Sequence, residues 1–274
     1  MNEILTYILL GLVQGLTEFL PVSSSGHLII AEKLLGYSAT SVSYEVLLHL
    51  ATLAAVFWVF WKDIAKVFVS LFRQRDKSNA FVRDRGLALW ILVGSTATAA
   101  AALPFKDYLE RLKGQPWLLA EVGFALLLTG ILLITVDKLG RGQSASFDKC
   151  WWKSILIGLA QAVAVLPGIS RSGSTIFASV ASGLKREDAA KFSFLLSIPA
   201  ILGAAAIDAK NITGLLDLSP VPTLLGMLAA FLSGVASIKW LIGLIVRARL
   251  AGFAVYCWIL GAGTLAAYFI GLGS

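Results

Sequence analysis

A polar motif interrupts the apolar sequence of this chain twice, and the two copies lie 147 residues apart. The first copy runs from Gly11 to Ala31 and the second from Gly158 to Ala178, and eight of the 21 aligned residues are identical. Each copy contains a proline and a break rich in serine and glycine. A repeat offset close to half of the chain length predicts two fused halves. Paired interruptions of this kind indicate a polar site near the bilayer midplane of an inverted-repeat membrane protein.

The sequence around the two motifs has the composition of an integral membrane protein. Of the 274 residues, 58% are apolar and 14% are charged, and the mean hydropathy is +0.82. A membrane-spanning helix needs about 20 predominantly apolar residues. The sequence therefore predicts an all-α polytopic membrane protein with a single membrane domain over residues 1–274. Full spans are predicted at residues 44–61, 87–104, 118–137, 192–210, 222–243 and 251–272.

The two motif regions, residues 4–36 and 155–184, are too interrupted to form one clean span each. Proline and glycine leave backbone groups that only surrounding protein or water can satisfy at membrane depth. We therefore predict two re-entrant helix-loop-helix hairpins. Each half of the chain, about 1–137 and about 150–274, then holds one hairpin and three spans. Because the number of crossings is odd, the second half is inverted relative to the first, and we expect the hairpin tips to meet near the bilayer centre.

Lysine and arginine residues fall mainly in four loops of the predicted topology. These loops hold 16 of the 23 basic residues, and cytoplasmic loops carry such an excess in membrane proteins. The net charge of +7 therefore indicates topology, and no nucleic-acid partner is predicted. In this topology the first hairpin enters from the outside and the second from the cytoplasm. The four loops are residues 62–86, 138–153, 185–191 and 244–250.

Glu18 lies inside an apolar helix of the first motif. A carboxylate in that setting is costly unless it is paired, solvated or bound to a metal ion. Gln14 precedes Glu18 by four residues, so the two side chains share a helix face. One interpretation is a helix-end carboxylate that reaches the water of the lipid headgroups. A functional interpretation is favoured because Glu18 leads directly into the Ser/Gly-rich break.

The break that follows Glu18 offers three hydroxyls, a glycine and an imidazole. Glycine permits close approach of the backbone to a ligand, and an imidazole transfers protons near neutral pH. The alternatives are a serine that only caps a helix and a histidine with a structural role. The second copy of the motif favours the functional interpretation, in which these residues and Gln14 form the site. The residues of the break are Ser23, Ser24, Ser25, Gly26 and His27.

In the second copy of the motif, Arg171 takes the position of Ser24. A guanidinium between hydroxyls and glycine amides at the start of a helix forms an anion site, and phosphate is the ligand that we predict. An arginine that pairs with Glu18 is the alternative, and the two interpretations are compatible. The neighbours expected to bind phosphate are Ser170, Ser172, Gly173, Ser174 and Thr175.

The two facing tips would together present a carboxylate, an imidazole, hydroxyls and a guanidinium. This combination suits phosphoryl chemistry. The sequence contains no Walker-type loop and no dinucleotide-binding fingerprint, so a nucleotide-driven machine is not predicted. His49 and Glu45 lie near the outer end of the first span, where an interfacial role is favoured over one in lining an access route.

The two motifs closely resemble those of the bacitracin-resistance family of undecaprenyl-diphosphate phosphatases, and the resemblance covers almost the whole chain. One family signature is Glu or Gln followed, after three residues, by Glu, and Gln14 and Glu18 match it. The other signature is Pro-Gly-x-Ser-Arg-Ser-x-x-Thr, which residues 167–175 match. Some members carry Glu at the position of Gln14, and an amide cannot replace a carboxylate as an anionic metal ligand or base.

The resemblance implies hydrolysis of a C55 isoprenyl diphosphate to the monophosphate and inorganic phosphate, which recycles the lipid carrier for peptidoglycan and other envelope glycans. It also implies a divalent cation, Mg²⁺ or Ca²⁺, a place in the bacterial plasma membrane, and a site that faces the periplasm. Carried over by position, the catalytic residues are Glu18, Ser24, His27 and Arg171, and Glu18 organises either the cation or the nucleophile.

Two functions remain open on the sequence. The favoured one is an intramembrane phosphatase whose partners are the isoprenyl diphosphate and the surrounding membrane lipids. The alternative is a transporter that flips the isoprenyl phosphate, because inverted repeats with polar tips at the midplane are typical of transporters. The sequence does not distinguish Ser24, His27 and water as the nucleophile, and it leaves open whether the chain forms a homo-oligomer.

Overall fold

The computed structural model describes residues 2–36, 42–72, 79–139, 150–208, 218–246 and 250–271. Six helices in these ranges are long and apolar enough to cross a membrane, so the prediction of an all-α polytopic protein with six spans is confirmed. The helices are α1 (Glu3–Phe19), α2 (Ser24–Leu35), α3 (Val42–Phe72), α4 (Asn79–Ala102), α5 (Lys106–Lys113), α6 (Leu118–Lys138), α7 (Trp152–Val163), α8 (Arg171–Ala181), α9 (Arg186–Asp208), α10 (Pro220–Val246) and α11 (Ala251–Phe269).

Several helices extend beyond the predicted spans. The sequence predicts that the first span ends at residue 61, whereas α3 continues to Phe72, and α9 begins at Arg186 within the predicted loop 185–191. The prediction of loops in these stretches is therefore wrong. Charged residues such as Lys62 are good helix formers, so apolar content marks the membrane crossing and not the end of the helix. The short helix α5 was also missed, in a segment for which the sequence predicts no element.

Two helical hairpins, α1–α2 and α7–α8, contain the repeated motifs. In the first hairpin, Leu20 adopts extended backbone directly before Pro21 and ends α1, because the residue before a proline is disfavoured in the helical region. In the second hairpin, the turn after α7 contains Gly168 with a φ of +92°, a conformation that favours glycine. The predicted helix breaks are therefore confirmed at both motifs.

The first helices of the two hairpins pack in equivalent surroundings. α1 packs along α10, and α7 packs along α4. A Cβ atom on Gly11 would lie 2.1 Å from the carbonyl oxygen of Gly226, and one on Gly158 would lie 2.2 Å from that of Gly94. Small residues allow such close approach of helix backbones in membranes. These two repeated positions therefore require glycine for the same reason.

An apolar core encloses the tips of the hairpins. Its large side chains come from α1, α4, α8 and α9, and those of Phe19, Trp90, Ile176, Phe192 and Phe194 are completely buried. Close-packed interiors hold side chains near their preferred rotamers. The polar residues at the end of α1 and at the start of α8 are therefore surrounded by buried apolar side chains.

Candidate active site

A serine caps the second helix of each hairpin. The Ser23 hydroxyl accepts a hydrogen bond from the amide of Gly26 at 3.4 Å, and the Ser170 hydroxyl accepts one from the amide of Gly173 at 3.0 Å. Such caps satisfy amides that the first turn of a helix leaves unpaired. Ser23 therefore caps its helix, as the capping interpretation of the first break expects, and Ser170, for which no cap was predicted, does the same. Ser23 also has a φ of +69°, which is uncommon for a residue with a side chain.

The two tips contact each other directly. The Ser23 hydroxyl accepts a second hydrogen bond, at 3.1 Å, from the amide of Gly168 in the other hairpin. Thr129 on α6 joins the same turn, since its hydroxyl donates to the Gly168 carbonyl and accepts from the Ser170 amide, both at 3.0 Å. Ser172 completes the contact by donating to the Leu20 carbonyl at 3.2 Å. The tips therefore form one hydrogen-bonded unit.

Glu18 lies at the centre of the polar residues, with only 8% of its surface exposed. Its Oε2 atom accepts hydrogen bonds from Ser24 Oγ at 2.6 Å and from Gln14 Nε2 at 3.0 Å. Its Oε1 atom accepts from Arg171 Nη2 at 2.7 Å. The cost of burying the carboxylate is thus offset by a charged partner and two neutral donors. The alternative of a carboxylate that reaches headgroup water does not match this burial.

Arg171 is the first residue of α8 and connects the two hairpins to α9. Besides the bond to Glu18, its Nη1 atom donates to the Ser193 carbonyl at 3.5 Å. The Ser193 hydroxyl lies 2.6 Å from that of Thr175, one turn along α8. Sixteen per cent of the Arg171 side chain is exposed, compared with 6% for Glu18. The predicted arginine–glutamate pair is therefore confirmed, and the Arg171 side chain is less deeply buried than its partner.

His27 points to other partners than Glu18. Its Nδ1 atom lies 2.7 Å from the Ser23 carbonyl and its Nε2 atom lies 2.7 Å from the Tyr256 hydroxyl on α11. The rings of His27 and Tyr256 are stacked, with centroids 5.6 Å apart and planes 10° apart. The structure therefore unites Glu18, Ser24 and Arg171 by hydrogen bonds, and it engages His27 elsewhere.

Most of the other predicted phosphate ligands are buried in the frame of the tips. Ser25 lies 3.3 Å from the hydroxyl of Ser23, and Thr175 donates to the Arg171 carbonyl at 2.9 Å. Direct contact of these residues with phosphate stays a prediction. The residues that are at most 4% exposed are Gln14, Ser23, Ser170, Ser172, Ser174 and Thr175.

The sequence interpretation missed His49 as a member of the site. It favours an interfacial role, but His49 Nε2 lies 3.7 Å from Glu18 Oε2, and the Nδ1 atom lies 2.8 Å from the Glu45 carbonyl. The chain has only two histidines, and both fall within apolar stretches, where an ionisable side chain is a candidate for a functional site. Thr129, Ser193 and Tyr256 were also missed, since no local pattern distinguishes them from other polar residues of membrane helices.

The protein groups around Glu18 do not form a cation site by themselves. Both carboxylate oxygens already accept hydrogen bonds, and the Arg171 guanidinium occupies one of them with a positive charge. Gln14 Oε1 is buried without a hydrogen-bond partner, but it is a neutral amide oxygen and carries no charge to hold a cation. Within those residues, no group of three or more His, Cys, Asp or Glu side chains is arranged to hold a metal ion.

The fold and the site together define a class of protein, a polytopic membrane protein with a buried carboxylate, hydroxyl and guanidinium cluster. The chain belongs to the family described as bacitracin resistance protein BacA, which matches residues 7–263. It is 40% identical to an undecaprenyl-diphosphatase of Halothermothrix orenii over 94% of this chain and 96% of that protein. It is also similar to undecaprenyl-diphosphatases of Methanobrevibacter smithii (40%, covering 94% and 95%) and Alkaliphilus metalliredigens (41%, covering 93% and 95%). The resemblance seen in the sequence motifs is therefore confirmed.

Proposed function

We propose that this chain hydrolyses undecaprenyl diphosphate to the monophosphate and inorganic phosphate, and so recycles the lipid carrier for peptidoglycan and other envelope glycans. Relatives that carry the name undecaprenyl-diphosphatase match it over almost their whole length. The observation that carries the proposal is the 2.6 Å hydrogen bond from Ser24 to Glu18, with Arg171 at 2.7 Å on the other carboxylate oxygen. The Glu18 carboxylate thus lies beside a hydroxyl that it can deprotonate and beside a guanidinium that can bind phosphate.

Ser24 is the nucleophile in this proposal, and Glu18 is its base. As the bond from Ser24 Oγ to the terminal phosphorus forms, the hydroxyl proton passes to Glu18 and the P–O bond to the lipid monophosphate breaks. Glu18 then releases this proton to solvent. Water attacks the phosphoserine, the Oγ–P bond breaks as one water proton passes to Ser24 Oγ, and inorganic phosphate leaves with the other water proton. His27 is less suited to attack because both of its ring nitrogens already have partners.

Arg171 binds the diphosphate in this proposal. A guanidinium has five N–H donors in a fork that matches phosphate oxygens. Two of its nitrogens bond Glu18 and Ser193 in the structure, and the partly exposed side chain leaves other donors for a ligand. Phosphate oxygens compete with Glu18 for the same charge. Binding therefore loosens the ion pair and leaves Glu18 free to accept the Ser24 proton.

A divalent cation, Mg²⁺ or Ca²⁺, is part of the proposal and would be held mainly by substrate phosphate oxygens and water. Mg²⁺ commonly keeps several waters and takes few protein ligands beside substrate phosphates. When bound, it supplies charge neutralisation at the phosphoryl oxygens. The protein residues described above act on the serine, its proton and the phosphate.

We also propose that the halves α1–α6 and α7–α11 are inverted repeats and that the two hairpins are re-entrant. In this arrangement α1, α3, α4 and α6 correspond to α7, α9, α10 and α11. The packing of α1 on α10 then corresponds to the packing of α7 on α4, and the α6–α11 and α3–α9 contacts each join a helix to its own counterpart. A two-fold relation between the halves gives this pattern, and the odd number of spans in each half supports an axis in the membrane plane. With the basic loops in the cytoplasm, the first hairpin opens to the periplasmic side of a bacterial plasma membrane. The isoprenyl chain then leaves laterally between spans.

Phosphate release by purified protein tests the proposed function. In detergent with Mg²⁺ and undecaprenyl diphosphate, the protein is expected to release inorganic phosphate, and chelation by EDTA is expected to stop the release. Arg171→Ala and Glu18→Ala are each expected to lower turnover by at least about 1000-fold, because each removes a charge that acts on the reacting groups. Near-normal turnover by either variant would contradict the site assignment.

Lys106→Ala provides the control for these variants. Lys106 forms an exposed pair with Glu110 at 3.4 Å, so its replacement also breaks an ion pair but is expected to leave turnover unchanged. Gel filtration and thermal unfolding establish that each variant is folded. Movement of the lipid monophosphate across proteoliposomes without phosphate release would instead support transport, the second candidate, which the two-fold helix arrangement favours.

A further inference from the structure

The hydrogen bonds of the two histidines fix where each ring carries its proton. In both residues Nδ1 lies close to a backbone carbonyl oxygen, that of Ser23 for His27 at 2.7 Å and that of Glu45 for His49 at 2.8 Å. A carbonyl oxygen only accepts hydrogen bonds, so Nδ1 is the donor in each ring. In the neutral form of either ring, Nε2 is therefore the acceptor.

The Nε2 atoms of the two rings have different surroundings. His27 Nε2 accepts a hydrogen bond from the Tyr256 hydroxyl at 2.7 Å, and the two rings stack. His49 Nε2 lies 3.7 Å from Glu18 Oε2, which is too long for a hydrogen bond. The His49 side chain is 34% exposed, whereas that of Glu18 is 6% exposed. His49 thus places an open acceptor between the buried carboxylate and the exterior.

We propose that His49 receives the proton that Glu18 takes from Ser24 and delivers it to water. Ser24 Oγ and His49 Nε2 both approach the same carboxylate atom, Oε2, from 2.6 Å and 3.7 Å. Once Oε2 is protonated it becomes a donor and His49 Nε2 its acceptor, either directly after a small approach or through one water. This inference rests on the roles proposed above for Ser24 and Glu18.

The proton relay balances over the catalytic cycle. In the first half, the Ser24 proton moves to Glu18, then to His49 Nε2, and from the imidazolium to solvent, while the Oγ–P bond forms and the lipid phosphate departs. In the second half, water gives its oxygen to the phosphoryl group and one proton to Glu18, which passes a proton to Ser24 Oγ as the Oγ–P bond breaks, and the other water proton leaves with the phosphate. His49 thus removes the Ser24 proton from the buried carboxyl group before that group serves as the base for water.

Steady-state kinetics of two His49 variants test the relay. We expect His49→Ala and His49→Gln each to lower kcat by about 100-fold with little change in KM, because proton transfer is lost while the phosphate-binding residues remain. Imidazole in the buffer is expected to restore much of the kcat of His49→Ala, since the His49 side chain is 34% exposed and its removal opens a path to Glu18. Imidazole is expected to have no effect on Ser24→Ala or on the wild type.

Each alternative outcome overturns the relay. A wild-type kcat in either variant excludes it. Full activity in His49→Gln, whose amide can form hydrogen bonds but cannot carry a proton, would show a structural role. A slow His49→Ala that imidazole does not restore would do the same. If Ser24→Ala keeps wild-type turnover, the proposed nucleophile fails instead, so the two failures are distinguishable.

Nitrogen-15 NMR of the imidazole rings gives a test that does not depend on activity. The chain has two histidines, so labelled protein in detergent shows two rings, which a His27→Gln variant assigns. In the neutral form we expect both rings to carry hydrogen on Nδ1, with an unprotonated Nε2. An Nε2–H tautomer for His49 would overturn the proposal, because that ring would have no acceptor toward Glu18.

Discussion

The tips of the two hairpins can be compared position by position. In each, a serine caps the second helix by accepting a hydrogen bond from the amide three residues later, at 3.4 Å for Ser23 and at 3.0 Å for Ser170. In each, the capping hydroxyl lies within 3.3 Å of the serine hydroxyl two residues later. The residue between these serines differs, since it is Ser24 in the first tip and Arg171 in the second.

This difference distinguishes the residues that hold the backbone of the tips from the two residues that bond the Glu18 carboxylate. Ser24 and Arg171 each begin a helix, and each reaches a different oxygen of the Glu18 carboxylate, at 2.6 Å and 2.7 Å. Two like residues at these positions would give either two hydroxyls without a cation or two cations without a nucleophile. The retained serines and glycines hold the backbone of both tips, and in the proposed mechanism the diverged pair supplies the attacking group and the phosphate-binding group.

Replacement of Ser24 tests this division most severely. We expect Ser24→Ala to keep the fold, because Ser23 supplies the helix cap, and to lower phosphate release by at least about 1000-fold, because the attacking oxygen is gone. Acid quenching of the wild type with substrate labelled on the terminal phosphate is expected to trap a phosphoserine that Ser24→Ala lacks. Rapid turnover by Ser24→Ala would indicate direct attack by water. In that case both tips would bind the substrate without supplying the nucleophile.

The sequence was sufficient for the six spans and for the two breaks between helices. Long apolar stretches and the proline at position 21 act locally, so they are visible without any knowledge of tertiary contacts. The ends of α3 and α9 were not predictable in this way, because a helix that leaves the membrane continues through polar residues. The contact of Gly11 with Gly226 was also hidden, since it joins residues of different halves.

The sequence predicts the charged pair at the centre of the site but not the histidine that lies beside it. Glu18 and Arg171 stood out because charged residues are rare in apolar helices and need partners there. His49 was assigned to the interface because its place in the span says nothing about which helix it faces, and only the fold brings it to 3.7 Å from Glu18. His27 was placed in the cluster by its proximity in sequence, but the helix turns its ring toward Tyr256 on α11.

A matched pair of glycine variants tests whether the two halves are equivalent in packing. Gly11→Ala and Gly158→Ala each place a Cβ about as close to a facing carbonyl oxygen, at 2.1 Å and 2.2 Å. Overpacking of this kind costs about 1–3 kcal/mol, so we expect both variants to unfold at lower temperature in detergent by similar amounts. Gly203→Ala is the control, because a Cβ there meets open space. A large loss in only one of the two variants would contradict equivalent packing of the halves.

Replacement of the capping serines is expected to have the smallest effect on stability, and it compares the two tips directly. Ser23 accepts hydrogen bonds from its own helix and from the Gly168 amide of the other hairpin, whereas Ser170 caps only its own helix at Gly173. We therefore expect Ser23→Ala to cost about 2 kcal/mol and Ser170→Ala about 1 kcal/mol, measured by thermal unfolding in detergent. Since Ser23 also joins the two tips, its loss is expected to lower kcat as well, by less than replacement of Ser24. Equal losses of stability would mean that the hydrogen bond from Gly168 to Ser23 contributes little, and that the tips are held together mainly by their other contacts.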